Sequence, residues 1–393
     1  MNFRRPEEEL VFLFAQTKAS DKVKARLEVL LQQPIDWNFC IDFARYHHVT
    51  PLFFNSLFNL CPTAPPADFM KQTKQWYQQH SLRNLLVTAE LLKVQRGLQN
   101  IDIPMLVVKG PALAKLVYGD VRLREFGDLD IVVHVADVSR VKDLLLEMGY
   151  ELTDDVTLDA ETTYVRSHYN YPFVHKTRLF NIEVHWRLWQ SEFGSWMKLD
   201  DVWKNVKSVA FNARESVFTL MGSDLLLYLC AHGSKHQWSR MSWICDINEL
   251  LTSDINLDWE LVALQSKQVR SVRMVLLGLY LAHTIFDTPL PEPINELVRR
   301  DGEIEGLADD MVERLLERKQ QDDDLRYYLR IRENWIDKAL HVTRLISRRM
   351  IPTDRDTKWI KLPPQLFFLY YLARPVRLIA RLISGSNKHK APR

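Results

Sequence analysis

Two aspartates lie two residues apart at the start of an apolar run, in the stretch GDLDIVVH from Gly127 to His134. Side chains along a β-strand alternate between its two faces, so Asp128 and Asp130 are expected to point the same way. Neighbouring like charges repel each other unless something compensates them. A divalent cation would do so, and a solvated strand edge is the alternative.

A third carboxylate, Glu183, lies in the alternating segment FNIEVHWRL (180–188). The alternation predicts a half-buried strand with Glu183 and His185 on its polar face and Trp186 in the core. Oxygen ligands from carboxylates suit Mg²⁺, so Glu183 could complete a metal site with the two aspartates. His185 could support Glu183 by a hydrogen bond, and a structural histidine is the alternative.

Short strands and helices are predicted around these acids. The run IDIPMLVVK (101–109) predicts a buried strand. The segment GPALAKLVYGD that follows predicts a turn and a short helix, with Pro111 in the first turn. Residues 136–150 predict a helix closed by Gly149, and residues 161–190 predict a hairpin or meander.

The fold class that these elements predict is α+β. Apolar residues recur at helical spacing before the strands and again from about residue 215 onward. A small mixed sheet would therefore be flanked by helices. The predicted division is a helical N-terminal region (1–100), a sheet-bearing core (101–205), a helical C-terminal domain (206–350) and a basic amphipathic tail (351–393).

Composition excludes several classes of protein. The 393 residues include 52 basic and 50 acidic side chains, so the net charge of +2 argues against long nucleic acid as a partner. The four cysteines are scattered, which suits a reducing compartment and no zinc knuckle. The N-terminus lacks the features of a targeting peptide, and no uncharged apolar run reaches about 18 residues. These features predict a cytoplasmic protein.

The tail adds a prediction of membrane association. No acidic residue follows Asp356, and Arg374, Arg377 and Arg381 recur at near-helical spacing among apolar residues. This basic amphipathic pattern predicts peripheral contact with an anionic membrane surface through residues 366–385. A helix docked on the protein is the alternative. Pro375 predicts two short helices in place of one.

Several separated motifs together resemble a known family. The stretch VVKGPALAKLVYGDVRLREFGDLDIVV, the later IEVHWRL and the helical AHGSKHQWSRMSWICDINEL occur in this order. They resemble the bacterial family of uncharacterised nucleotidyltransferases, within the DNA polymerase β-like nucleotidyltransferase superfamily, over roughly residues 80–250. The resemblance implies that the core 101–205 is a sheet of the nucleotidyltransferase type.

The resemblance also implies an activity and its residues. Asp128, Asp130 and Glu183 would be the catalytic, metal-binding acids, with Mg²⁺ or alternatively Mn²⁺ as the cofactor. The enzyme would move a nucleoside monophosphate from an NTP such as ATP to an unidentified acceptor and release pyrophosphate. The residues expected to bind the nucleotide are Lys109, Gly110, Arg124 and Gly127.

Accessory residues are expected on the later helical motif. His232 and His236 have metal-ligand spacing, but the H-E-x-x-H pattern is absent. We expect this helix to pack against the sheet, with one of these histidines or Lys235 reaching nucleotide or acceptor. Asp246 is expected to have a structural role.

One departure from the superfamily pattern favours a second function. Gly110 is followed by Pro111, where Gly-Ser is usual, so no hydroxyl is available there for phosphate. The alternative function is therefore a nucleotide-binding or scaffold protein without turnover.

Overall fold

The computed structural model describes residues 1, 3–153, 164–165, 168–177, 180–188, 199–322, 324–350, 359–360 and 368–383. These residues form two compact units. The first contains the described residues up to Glu333 and carries the whole sheet, and the second begins at Asn334. The predicted α+β class is confirmed.

Helices form both ends of the first unit. Those before the sheet are α1 (Pro6–Phe14), α2 (Asp21–Leu30), α3 (Trp37–Tyr46), α4 (Thr50–Leu60) and α5 (Ala67–Gln99). Those between strands are α6 (Gly110–Val117), α7 (Val138–Glu147) and α8 (Leu199–Lys204). Those after the sheet are α9 (Gly222–Lys235), α10 (Met241–Thr252), α11 (Trp259–Gln268), α12 (Val272–Phe286), α13 (Glu292–Arg300), α14 (Ile304–Leu316) and α15 (Leu325–Arg330).

In the part of the chain that the structure describes, seven strands form one mixed sheet. They are β1 (Leu106–Val107), β2 (Leu129–Val132), β3 (Tyr150–Leu152), β4 (Asn170–His175), β5 (Asn181–His185), β6 (Lys207–Ala210) and β7 (Ser216–Thr219). Their order is β3-β4-β5-β2-β1-β7-β6. β2 runs parallel to β5 and antiparallel to β1. The centre of the sheet therefore joins segments that are far apart in the sequence.

The alternation of side chains gives the sheet one apolar and one polar face at its centre. Leu129 and Ile131 of β2 and Ile182 and Val184 of β5 are buried in a core with residues of α5 and α7. Trp186 lies in the same core and is 2% exposed, as predicted. Because α5 and α7 cover this face, the polar residues of β2 and β5 point to the opposite one.

The second unit contains α16 (Trp335–Met350) and α17 (Tyr370–Ile383). The prediction of two short helices around Pro375 is wrong, because α17 continues through that proline. The missing N–H costs only one hydrogen bond, to the carbonyl of Tyr371, in the early part of the helix. Among the residues described, no helix is long and apolar enough to cross a membrane.

Candidate active site

The pairing of β2 with β5 brings acids from two separate segments together. The parallel register sets Asp130 beside Glu183 and Val132 beside His185. Asp130, Glu183 and His185 therefore share the polar face of the sheet. Nε2 of His185 lies 3.0 Å from Oδ1 of Asp130 and 3.4 Å from Oε2 of Glu183.

Lys109 supplies a second cation to the same aspartate. It ends the segment that contains β1, the antiparallel neighbour of β2. Its Nζ lies 2.8 Å from Oδ2 of Asp130, and both side chains are largely buried. Burial alone would raise the pKa of Asp130, but the charges and hydrogen bonds of Lys109 and His185 hold it well below its ordinary value. Asp130 is therefore ionised in the folded protein.

The other two acids of the site differ in their surroundings. Glu183 accepts a hydrogen bond of 2.8 Å from Nδ2 of Asn170, and its hydrogen bond with His185 lowers its pKa. The pKa of Asp128 is raised, first by burial and then by the charges of Asp130 and Glu183. Asp128 therefore carries an electrostatic cost that its neighbours in the protein do not remove.

Three donor atoms have an arrangement that fits a metal ion. One carboxylate oxygen each from Asp130 and Glu183 and one ring nitrogen of His185 all lie within 4.8 Å of one another. Two ligands at right angles on one ion, each about 2.1 Å from it, would be about 3.0 Å apart. The separations of His185 from the two acids are close to this value. Asp130 and Glu183 were predicted as ligands, and His185, predicted only as an accessory residue, lies within reach of the same ion. Ligation through Nε2 would replace the contacts of that nitrogen with the two acids.

A cavity of about 380 Å³ opens beside these acids, along strands β3, β4 and β5. Asp128 and Glu183 both line it. The other lining residues are Glu151, Thr153, Pro172, Phe173, Val174, His175, Lys176, Asn181 and Ile182. The volume is that of a pocket for a small molecule.

The two predicted glycines have different reasons to be glycine. Gly110, at the start of α6, has a φ of +59°, a conformation that residues with a Cβ rarely adopt. Gly127 has no positive φ, and a Cβ built on it would meet nothing within 4 Å. The folded chain itself therefore gives no steric reason for glycine at 127, directly before Asp128.

Arg124 is engaged in a buried ion pair. Its Nε and Nη2 lie 2.8 and 2.9 Å from the two carboxylate oxygens of Asp246 on α10. Tyr118 donates a hydrogen bond of 2.7 Å to the same carboxylate. Only Nη1 is directed elsewhere, toward the carbonyl of Glu125 at 3.5 Å. A phosphate contact by Arg124 stays a prediction, and it would have to use Nη1 or break this pair.

Helix α9 approaches the site with two neutral histidines. Burial, together with the charge of Lys109, lowers the pKa of His232 well below its ordinary value. Burial lowers the pKa of His236 to about 4. The Nδ1 of His236 lies 2.8 Å from Oε1 of Gln321, and its ring stacks on Trp243. His236 therefore has protein partners, and its role toward a ligand stays a prediction.

Lys235 and two aromatic residues complete the surroundings of the acids. Nζ of Lys235 lies 5.7 Å from the ring centroid of Tyr169, and that ring lies 5.6 Å from the ring of His185. Burial raises the pKa of the Tyr228 hydroxyl on α9, and the nearby charges of Lys109 and Asp130 also act on that pKa. Tyr169, Asn170 and Tyr228 were not identified from the sequence. The pairing of β4 with β5 sets Asn170 opposite His185, which a hairpin prediction without a register could not show.

A mixed sheet with acids gathered on its polar face has the architecture of the nucleotidyltransferases. A profile of the family described as uncharacterised nucleotidyltransferase matches residues 33–287. The match spans more than half of the chain, and the chain belongs to this family. It contains every residue predicted for the site, and the resemblance inferred from the motifs is confirmed. No curated protein shows significant similarity to the chain.

Proposed function

We propose that this protein is a metal-dependent nucleotidyltransferase that moves a nucleoside monophosphate from an NTP to a small acceptor. One observation carries the proposal. Asp130, Glu183 and His185, drawn from two segments of the chain, converge with donor atoms close enough to share one cation. Membership of the family supports the same reaction class.

The donor set bears on which ion is used. Carboxylate oxygens suit Mg²⁺ and Mn²⁺, whereas an imidazole nitrogen suits transition metals better than Mg²⁺. The predicted ion was Mg²⁺, with Mn²⁺ as the alternative. With His185 as a donor, we propose Mn²⁺ as the preferred ion. When bound, the ion would neutralise charge on the phosphates and on the leaving pyrophosphate.

The remaining groups have distinct roles in the proposed reaction. An acceptor hydroxyl in the cavity attacks the α-phosphorus, the bond to the β-phosphate oxygen breaks, and pyrophosphate leaves. Asp128 lines that cavity and lies outside the three-donor group. As the acid that lines the cavity without belonging to that group, Asp128 is placed to accept a proton from the acceptor, so we assign the hydroxyl proton to it. Lys109 holds Asp130 in place and adds positive charge where phosphate would bind.

The cavity favours a small polar acceptor. Glu151, Thr153, Lys176 and Asn181 line it and offer both hydrogen-bond donors and acceptors. Its volume suits a metabolite and is too small for a long polymer. The nearly balanced charge of the chain agrees with this choice.

The test is pyrophosphate release from ATP, GTP, CTP and UTP, with MnCl₂ and a small-molecule cell extract as the source of acceptor. We expect release by the wild type and a loss of at least about a hundredfold in Asp128→Asn. Asp254→Asn is the matched control, because Asp254 is an exposed aspartate after α10, and it should release pyrophosphate at the wild-type rate. No release from any NTP by the wild type would contradict the proposal.

A second readout separates the two roles open to Asp128. Electron paramagnetic resonance of Mn²⁺ should show wild-type binding in Asp128→Asn and weakened binding in Glu183→Gln. If Asp128→Asn also loses the ion, Asp128 is a ligand, as the resemblance implies, and another group takes the proton.

One observation favours nucleotide binding without turnover as the second candidate function. Lys109 already occupies Oδ2 of Asp130, which leaves that oxygen unavailable to a second ion. Retention of labelled NTP by the wild type, with no pyrophosphate released in the assay above, would favour this second function.

A further inference from the structure

The second unit carries an exposed apolar stripe on and just before α17. Phe368, Leu372 and Val376 are spaced by four residues and therefore follow one side of the helix. They are 60%, 68% and 58% exposed. Side chains of this kind belong to the core in most proteins, and a contiguous exposed set indicates an interaction surface.

Tyr370 shows which side of the helix packs on the protein. It is 4% exposed, and its hydroxyl donates a hydrogen bond of 2.8 Å to the carbonyl of Ile360. Helical geometry places Tyr370 on the side of α17 opposite Leu372. The side of α17 that packs on the protein is therefore not its apolar side.

The charge of this part of the chain is strongly positive. Residues 357–393 contain no acid. The basic residues in that range are Lys358, Lys361, Arg374, Arg377, Arg381, Lys388, Lys390 and Arg393. The helical repeat places Arg374 and Arg377 away from the apolar stripe, on the same side of α17 as Tyr370, and both are half-buried. Apolar residues on one side and basic residues on the other form the pattern of a helix that lies in a membrane interface.

We propose that α17 docks on the surface of an anionic lipid bilayer, with Phe368, Leu372 and Val376 inserted at the boundary between head groups and acyl chains. Anionic head groups complement the basic residues, and the acyl region accepts the apolar stripe. A second copy of this chain would bring the same positive charge against it. A nucleic acid would satisfy the charges and leave the apolar stripe in water. The helix would lie in the plane of the interface, since no described helix can span a bilayer.

The test is flotation of the full-length protein with vesicles of phosphatidylglycerol and phosphatidylcholine, compared with vesicles of phosphatidylcholine alone. We expect the protein to float with the anionic vesicles, and the bound fraction to fall several-fold in high salt. The double variant Leu372→Glu/Val376→Glu should bind at least tenfold more weakly.

The matched control replaces two exposed apolar residues of the first unit by glutamate. Leu82 and Leu264 are 59% and 54% exposed there, and Leu82→Glu/Leu264→Glu should float like the wild type. Far-UV circular dichroism and an unchanged unfolding midpoint confirm that each variant is folded.

Three results would overturn the proposal. One is a wild-type protein that stays with the soluble fraction in the presence of anionic vesicles. Another is equal flotation of Leu372→Glu/Val376→Glu and the wild type. The third is binding to duplex DNA, or formation of a dimer in light scattering, that this double variant abolishes while vesicle binding is unaffected.

Discussion

Two charged clusters of the first unit, one buried and one partly buried, differ in how their charges are compensated. In the first, Arg124 forms two short contacts with Asp246, and Tyr118 donates to the same carboxylate. One cation faces one anion, and the hydrogen bonds complete the pair. In the second cluster, Asp128, Asp130 and Glu183 face one lysine and one histidine.

The difference shows which cluster holds the fold and which is suited to a ligand. Breaking a buried ion pair with matched charge and geometry costs free energy, so the Arg124–Asp246 pair holds α10 against the loop after α6. A cluster with more acids than cations retains repulsion, which appears as the raised pKa of Asp128. A divalent cation would remove that repulsion. The same residue types are therefore structural in one place and, as we propose, functional in the other.

The largest expected effect comes from removing one member of the balanced pair. Asp246→Asn keeps the shape of the side chain and leaves the guanidinium of Arg124 buried without its counter-charge. We expect the free energy of unfolding to fall by about 3–5 kcal/mol, measured by urea denaturation. Asp128→Asn removes a repelled charge, and its free energy of unfolding should stay within about 0.5 kcal/mol of the wild type or rise. Equal losses in the two variants would mean that the clusters do not differ as argued.

The second effect is the stabilisation that a cation gives to the unbalanced cluster. At a hundred times its dissociation constant, Mn²⁺ should raise the free energy of unfolding by about 2.7 kcal/mol. Differential scanning calorimetry with and without MnCl₂ measures this gain. Glu183→Gln and His185→Gln each remove one of the three donors, and the gain should shrink in both. A full gain in both variants would place the ion elsewhere.

The smallest effect tests whether burial of charge is costly where no acid compensates it. Burial, followed by the charge of Arg240, lowers the pKa of His47 to about 3. Below a pH of about 6.5, His47 binds a proton in the unfolded chain but not in the folded protein. The free energy of unfolding therefore decreases as the pH falls. The expected loss is about 2 kcal/mol between pH 7 and pH 5 from this residue. In His47→Gln the free energy of unfolding should fall less steeply over this range, and an unchanged slope would contradict the assignment.

The helices and strands could be predicted from the sequence because each depends mainly on residues that are neighbours in the chain. The alternation of residues 180–188 predicted the strand that became β5, and the left-handed Gly149 follows α7 as expected. The resemblance brought Asp130 and Glu183 into one proposed site. The continuous α17 was not predicted, because the hydrogen bond lost at Pro375 was taken to be enough to end a helix. The remaining hydrogen bonds maintain the helix through this proline.

The hydrogen-bond and ion-pair partners of the polar side chains could not be predicted from the sequence. His185 lies 55 residues from Asp130 in the sequence, and Arg124 lies 122 residues from Asp246. No local pattern encodes which of several acids an arginine will meet. The pairing of Arg124 with Asp246 was therefore not predicted, although Asp246 was expected to have a structural role.

The sequence by itself determined the residue types, the strand and helix periodicities and the family, since all of these are read from neighbouring positions along the chain. Only the tertiary structure decided that β5 lies parallel to β2 with Glu183 level with Asp130, which brings His185 within reach of both acids. Strand order and register follow from burying the apolar face of the whole sheet against α5 and α7. That burial is a property of distant segments acting together, so it fixes the polar face, and the candidate site on it, only when the chain is folded.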